Sequence, residues 1–173
     1  MAMVETPVER GAFTVIDHDD GSQEVEEHVE FMKLAIMQAQ MAAPNDRAFN
    51  TGVLIVSGRQ PISSGHSRDA HVPEQHAAAA ALARARSGAH ARMLAGSTLY
   101  TTMEPCSSPM FAKIPCTTRI INAQVRRVVI GVKEPDSFVN CRGVDTLCAA
   151  GIEVVHLLIL QEECLRTNIH LLT

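Results

Sequence analysis

Tryptophan is absent from this chain, which has a single tyrosine and five phenylalanines. Proteins that stack single-stranded bases need aromatic platforms, and this sequence is poorly supplied with them. No apolar run reaches the roughly 18 residues of a bilayer-spanning helix. An excess of basic charge is also missing. Fifteen Lys and Arg face 19 Asp and Glu for a net charge of -4, so no overall positive field draws in nucleic acid. Five cysteines are an odd number for a secreted disulfide framework and read as reduced, cytosolic thiols, some of them metal ligands. Glu5, Glu9 and Arg10 among the first apolar residues do not form a secretory signal, so a cytoplasmic protein is expected. What is present is 173 residues, 46% apolar and 20% charged, enough for one domain with its own core.

Residues 1–23 carry no sustained period and contain a polar turn from Asp17 to Gly21. They read as an N-terminal arm ahead of a domain at 24–173. Ser22 followed by Glu24, Glu26 and Glu27 is a cap with acids in a first helical turn, where the helix dipole favours them. Val25, Val29, Met32 and Ile36 recur at helical spacing and predict a helix over 24–42, closed by Pro44. Thr51 to Val56 and Pro61 to His66 flank a Gly58-Arg59-Gln60 turn, the pattern of a β-hairpin. Helices are predicted over 77–85, 114–123, 144–150 and 161–171, and strands over 97–102, 127–132 and 152–157. Alternation of this kind implies a three-layer α/β/α sandwich around a five-stranded mixed sheet. Its last two strands, joined through a helix, run parallel.

One group of residues carries chemistry. His76 precedes Cys106 by 30 residues, and nine residues separate Cys106 from Cys116. Imidazole and thiolate are preferred zinc ligands, and three of them leave a tetrahedral position open for water. The segmentation puts His76 at the start of one helix and the cysteines at the loop and start of the next. Two helix N-termini would then favour the thiolate form. Taken alone, the two cysteines read more readily as small buried residues than as ligands, and His76 as a cap or surface residue. Glu104-Pro105-Cys106 after a strand, with a second Pro-Cys pair at 115–116, favours ligation.

His76-Ala77, Thr101 to Cys106 and Pro115-Cys116 resemble the zinc-dependent cytidine-deaminase-like superfamily, whose signature is His-x-Glu followed by Pro-Cys and a second Cys. The nine-residue gap between cysteines is similar to that of the riboflavin-pathway deaminases. Gly65 to Asp69, Thr101 to Ser107, Gly131 to Asp136, Arg142-Gly143 and Ala149 to Val154 extend the likeness, most of all to the fungal type. The resemblance implies a zinc cofactor on His76, Cys106 and Cys116. It also implies hydrolysis of the 2-amino group of 2,5-diamino-6-ribitylamino-4(3H)-pyrimidinone 5′-phosphate by water activated on that zinc. Asn50 matches a position that holds the ring, and Ser67 and Arg68 are candidate contacts to the ribityl phosphate, Arg68 reading equally well as a solvated loop charge. Ala77 and Glu104 fall at substrate-binding positions of the same pattern. A homodimer or higher homo-oligomer is implied as well, with no nucleic-acid or membrane partner.

One departure stands out. The family's proton-shuttling glutamate falls at position 78, and this chain has Ala78. Alanine cannot carry a proton, and general acid–base transfer alone is typically worth roughly 10²–10⁴-fold. Glu74 and His71 are poor substitutes, because their spacing is wrong and Pro73 disfavours a helix across them. Two explanations stand for Ala78. One is a change introduced to stall turnover, favoured by the other intact motifs; the other is a natural loss in a zinc-binding partner subunit. Two further readings of the function remain open: a deaminase of another amino-pyrimidine or amino-purine, and a non-catalytic zinc-binding subunit. Elsewhere, Cys141, Cys148 and Cys164 read as structural thiols, and the methionines as filler on helical faces, Met110 excepted. His66 and His90 read as surface residues, and Arg84, Arg86 and Arg92 as a solvated helix face.

Overall fold

A computed structural model describes residues 8–72, 75–109, 112–134 and 141–172. Residues 1–7, Pro73, Glu74, Met110, Pro135 and Asp136, all noted above, lie outside the described residues. Strand β1 (Phe13–Ile16) leads into helix α1 (Gln23–Gln40), whose cap Ser22 accepts the Val25 N–H on its hydroxyl. Strands β2 (Gly52–Ser57) and β3 (Gln60–His66) form the expected antiparallel hairpin around Gly58, which takes a positive φ of 59°. Helix α2 (Ala77–Ser87), β4 (Thr98–Met103), α3 (Cys116–Asn122), β5 (Arg127–Val132), α4 (Gly143–Ala149), β6 (Glu153–Leu157) and α5 (Gln161–Arg166) complete the order.

The sheet has six strands in the order β1-β6-β5-β4-β2-β3, one more than expected. Residues 13–16, read as part of an arm, pair parallel with β6 from Phe13↔Val154 to Ile16↔Leu157. With four mostly exposed residues, β1 is too short and too wet to show an alternating pattern. The pairs β4–β5 and β5–β6 are parallel, as their helical crossovers require, and β2 meets β4 antiparallel. The helix expected over 161–171 stops after six residues and resumes as a 3₁₀ turn at Ile169–Leu171.

Helices cover both faces of the sheet. Val53, Ile55, Leu99, Val128 and Ile130 pack with α2, α3 and α4 residues such as Leu82, Ile120 and Leu147. The alternate residues Leu54, Val56, Tyr100 and Val129 pack with Phe31, Met32 and Ile36 of α1 and Cys164 of α5. That alternation is the two-residue period of strands buried on both sides. Met32 and Met103 are buried as expected, whereas Met37 and Met41 lie on the open face of α1. Close approach places α2: a Cβ on Gly65 would stand 2.7 Å from both the Ala77 carbonyl and the Ala81 nitrogen. Glycine in β3 and five consecutive alanines in α2 let helix and strand backbones nearly touch. None of the described helices is long and apolar enough to cross a membrane.

Candidate metal centre

The start of α2 carries His76, which takes an extended backbone (φ -97°, ψ 137°) as the residue capping the helix. Cys106 lies in the loop after β4, and Cys116 is the first residue of α3. The loop is drawn onto α3 by the helix's own unpaired donors. Cys116 N–H donates to Cys106 Sγ at 3.3 Å, and Thr117 N–H to the Cys106 carbonyl at 3.1 Å. Two helix N-termini therefore converge on the same spot, which favours negative charge there.

His76 Nδ1 is 3.5 Å from Cys106 Sγ and 3.4 Å from Cys116 Sγ, and all three ligand atoms lie within 4.8 Å of one another. Zinc bonds of about 2.3 Å to sulfur and about 2.0 Å to nitrogen, at tetrahedral angles, set an N···S edge of about 3.5 Å. The observed spacings match that edge, so the three side chains fit a zinc ion. Among the described residues this is the one such cluster of histidine, cysteine and acidic ligands. No disulfide forms, and all five cysteines are free. A hydrogen bond from the Cys116 thiol, helped by His76, holds Cys106 down to about 4. The same bond, with burial, pushes Cys116 upward.

The triad lies on the wall of a cavity of about 590 Å³, lined also by Ala77, Ala78, Ser67, Arg68, Glu104 and Glu134. Asn50 is not on that wall. It is buried beneath it, with Nδ2 donating to the Thr167 carbonyl at 3.2 Å and Oδ1 accepting from Arg68, while Asn168 Oδ1 takes its backbone N–H. Ser67 Oγ bonds both the N–H and the carbonyl of Thr51. Arg68 is no solvated charge. At a φ of 54°, it donates to the carbonyls of Phe49 and Ala43 and to Asn50 Oδ1, while burial pulls its pKa down. Glu104 is 8% exposed, and both its oxygens accept backbone N–H groups, from Val144 and Glu134. Burial raises its pKa and those two donors oppose the rise. Ala78 is 5% exposed.

Residues 25–132 match the zinc-binding region of cytidine and deoxycytidylate deaminases. The chain belongs to that family. As a member of it, the chain carries a His76, Cys106 and Cys116 cluster that suggests zinc as its metal. It is similar to the diaminohydroxyphosphoribosylamino-pyrimidine deaminase of Schizosaccharomyces pombe, with 39% identity over 139 residues, 80% of this chain and 34% of that protein. Among solved structures, the diaminohydroxyphosphoribosylaminopyrimidine deaminase/5-amino-6-(5-phosphoribosylamino)uracil reductase of Thermotoga maritima is 31% identical with a TM-score of 0.68, covering 84% of this chain and 40% of that one. Aspergillus oryzae Rib2 deaminase in complex with DARIPP is 24% identical with a TM-score of 0.67, over 82% of this chain and 89% of that one, a likeness of fold. The deaminase domain spans about a third of the length of the curated riboflavin-pathway relatives it matches.

Parts of this site were invisible in the sequence. Asp69 is 2% exposed and pairs with Arg84, which also donates to the Ser64 carbonyl at 3.1 Å. Arg84 is therefore tied to β3 and its loop, unlike the solvated arginine expected. His66 is also drawn in, with Nε2 3.4 Å from Asp69 and its side chain 13% exposed. Glu134 falls within a motif that carried the family likeness without a role, and it lines the cavity.

Proposed function

We propose that this domain binds a diamino-ribitylamino-pyrimidinone 5′-phosphate as a riboflavin-pathway deaminase does, and that Ala78 leaves it inactive or trapped with substrate bound. The observation that carries the reading is the spacing of His76 Nδ1 to the two cysteine sulfurs, 3.5 and 3.4 Å, on the wall of one cavity. The identity with the fission-yeast pyrimidine deaminase supports the substrate class. Zinc held there would supply a water of pKa near 7 as the nucleophile for the amine-bearing ring carbon.

The chain's own residues do the rest. His76, Cys106 and Cys116 would hold the ion, three ligands of the four it takes. Ala77 and Ala78, at the start of α2, form the floor beside them, and small side chains leave room for a flat ring. Ser67 and Arg68 line the cavity from a loop closed by the Arg68 N–H to Gln75 carbonyl bond of 2.8 Å, and would be the phosphate contacts. Asn50 fixes the Arg68 guanidinium from beneath. The missing function is proton transfer. Among the described cavity residues only Glu104 and Glu134 bear carboxylates, and Glu104 has both oxygens on backbone N–H groups.

A second reading is favoured by Ala78 itself: a non-catalytic, zinc-binding subunit that recruits a partner. The test of the first is Ala78→Glu in zinc-loaded protein, with ammonia release from the ribityl phosphate as the measurement. Restored release supports the deaminase reading, and an inert variant that still holds zinc refutes it. Calorimetric titration of the unmodified chain separates the two readings, since only the first expects binding of the small molecule alone.

A further inference from the structure

Glu104 sits two residues before Cys106 and offers no unengaged oxygen to the cavity. Its Oε2 accepts from Glu134 N–H at 3.0 Å and its Oε1 from Val144 N–H at 2.9 Å. Glu134 lies two residues past β5 and Val144 is in the first turn of α4, so one buried carboxylate joins the end of one element to the start of the other. The α4 end then lies along the loop that bears Cys106. The Cys141 thiol donates to the Pro105 carbonyl at 3.7 Å, and Arg142 N–H donates to Ser107 Oγ at 2.9 Å. Gly143 approaches so closely that a Cβ there would stand 2.3 Å from the Pro105 carbonyl oxygen and 2.9 Å from Glu104 Cγ. Contacts at positions 104, 105 and 107 thus bracket Cys106 on either side, while α3 holds Cys106 itself.

We propose that Glu104 is a positioning residue: its carboxylate ties Glu134 and the start of α4 to loop 104–107 and so fixes Cys106 Sγ at the spacing a tetrahedral ion needs. The inference rests on the zinc reading of the triad. Groups that orient metal ligands from outside the coordination shell typically matter by roughly 10–100-fold in affinity. The chemistry calls for a carboxylate, because it accepts two N–H donors at once. A glutamine can accept one with its oxygen, but its NH₂ faces the other donor and leaves it unpaired.

The test is cobalt(II) titration of the folded protein with the variants Glu104→Gln and Ser107→Ala, read by thiolate-to-cobalt charge-transfer and visible bands. Amide exchange at Glu134 and Val144, and the unfolding midpoint without metal, are measured in parallel. Glu104→Gln is expected to weaken cobalt binding by roughly 10–100-fold, to alter the band shape at saturation and to speed exchange at one of the two amides. Ser107→Ala, the milder change, is expected to move affinity the same way by less. A residue that only stabilises the fold would lower the midpoint and leave the saturated spectrum unchanged, and that result overturns the proposal. Unchanged amide exchange in Glu104→Gln also overturns it, whether or not metal binds. Failure of the unmodified chain to bind cobalt overturns the zinc reading and, with it, this role for Glu104.

Discussion

Cys116 donates its backbone N–H to Cys106 Sγ at 3.3 Å, so the second candidate ligand helps hold the first as a thiolate. The pair is drawn together by the α3 N-terminus, and His76 completes the set from α2.

Three side chains that fit a zinc ion set an expectation for metal removal. Zinc that binds only the folded state stabilises it by RT ln(1 + [L]/Kd), about 2.7 kcal/mol at a free concentration of 100 Kd. For a domain of this size each kcal/mol moves Tm by roughly 2–4 °C. Calorimetric scans with and without a chelator should therefore differ by several degrees. In His76→Ala the difference should vanish, because two cysteines alone make a poor zinc site.

Ala78→Glu restores a proton carrier at the second residue of α2. A glutamate in a first helical turn is favoured by the helix dipole, and the position opens on the cavity, so the variant should fold. Ammonia release should rise by at least roughly 10²–10⁴-fold over the unmodified chain, the usual span of general acid–base catalysis. Ala78→Gln, of the same shape but unable to carry the proton, should stay near the starting rate. Equal rates for the two variants would contradict the assignment of position 78.

Asp69 ties the loop bearing Ser67 and Arg68 to α2. Its carboxylate accepts the His71 N–H at 2.9 Å and pairs with Arg84. The His71 N–H, more than the Arg84 guanidinium, holds its pKa below the usual carboxylate range. Asp69→Asn should cost about 1–3 kcal/mol, because Arg84 and the loop lose a buried charged acceptor. The sign also follows for pH. A carboxylate with a depressed folded pKa contributes stability above its unfolded pKa and loses it as pH falls through the folded value. Urea titrations at pH 7 and pH 3 should show the variant and the unmodified chain converging at low pH.

How much of this was legible in the sequence follows from where the contacts lie. His76 and Cys116 could be picked out beside helix starts, and Cys106 from the Glu104-Pro105-Cys106 run after a strand; the fold brings all three together. The hairpin and the parallel β5–β6 pair came from run length and alternation. Strand β1 was missed because four exposed residues give no period, and its partner β6 lies about 140 residues away. Arg84 and His66 were misread as surface residues because Asp69, their common partner, is brought to them by a loop. Asn50 bonds with Asn168 across 118 residues, and no local pattern encodes that pair.

The buried histidines set the last expectation. His28 is 2% exposed, with Nδ1 3.0 Å from the Tyr100 hydroxyl and Nε2 without a hydrogen-bond partner among the described residues. Burial, then Arg127, lowers its pKa, while Glu24, Glu27 and Glu153 pull the other way. A histidine with a depressed folded pKa binds a proton more readily when unfolded. Stability is therefore full above the unfolded value of about 6.5 and declines as pH falls below it, by at most about 1.4 kcal/mol per pH unit for one such group. His156, also lowered by burial, adds a loss of the same sign. Urea unfolding between pH 7.5 and pH 5 should show a falling midpoint, and His28→Phe should make the fall shallower while leaving the share due to His156. An unaltered slope in that variant would place the acid sensitivity elsewhere, because Phe31 and Tyr100 already form an aromatic wall able to accept the new ring.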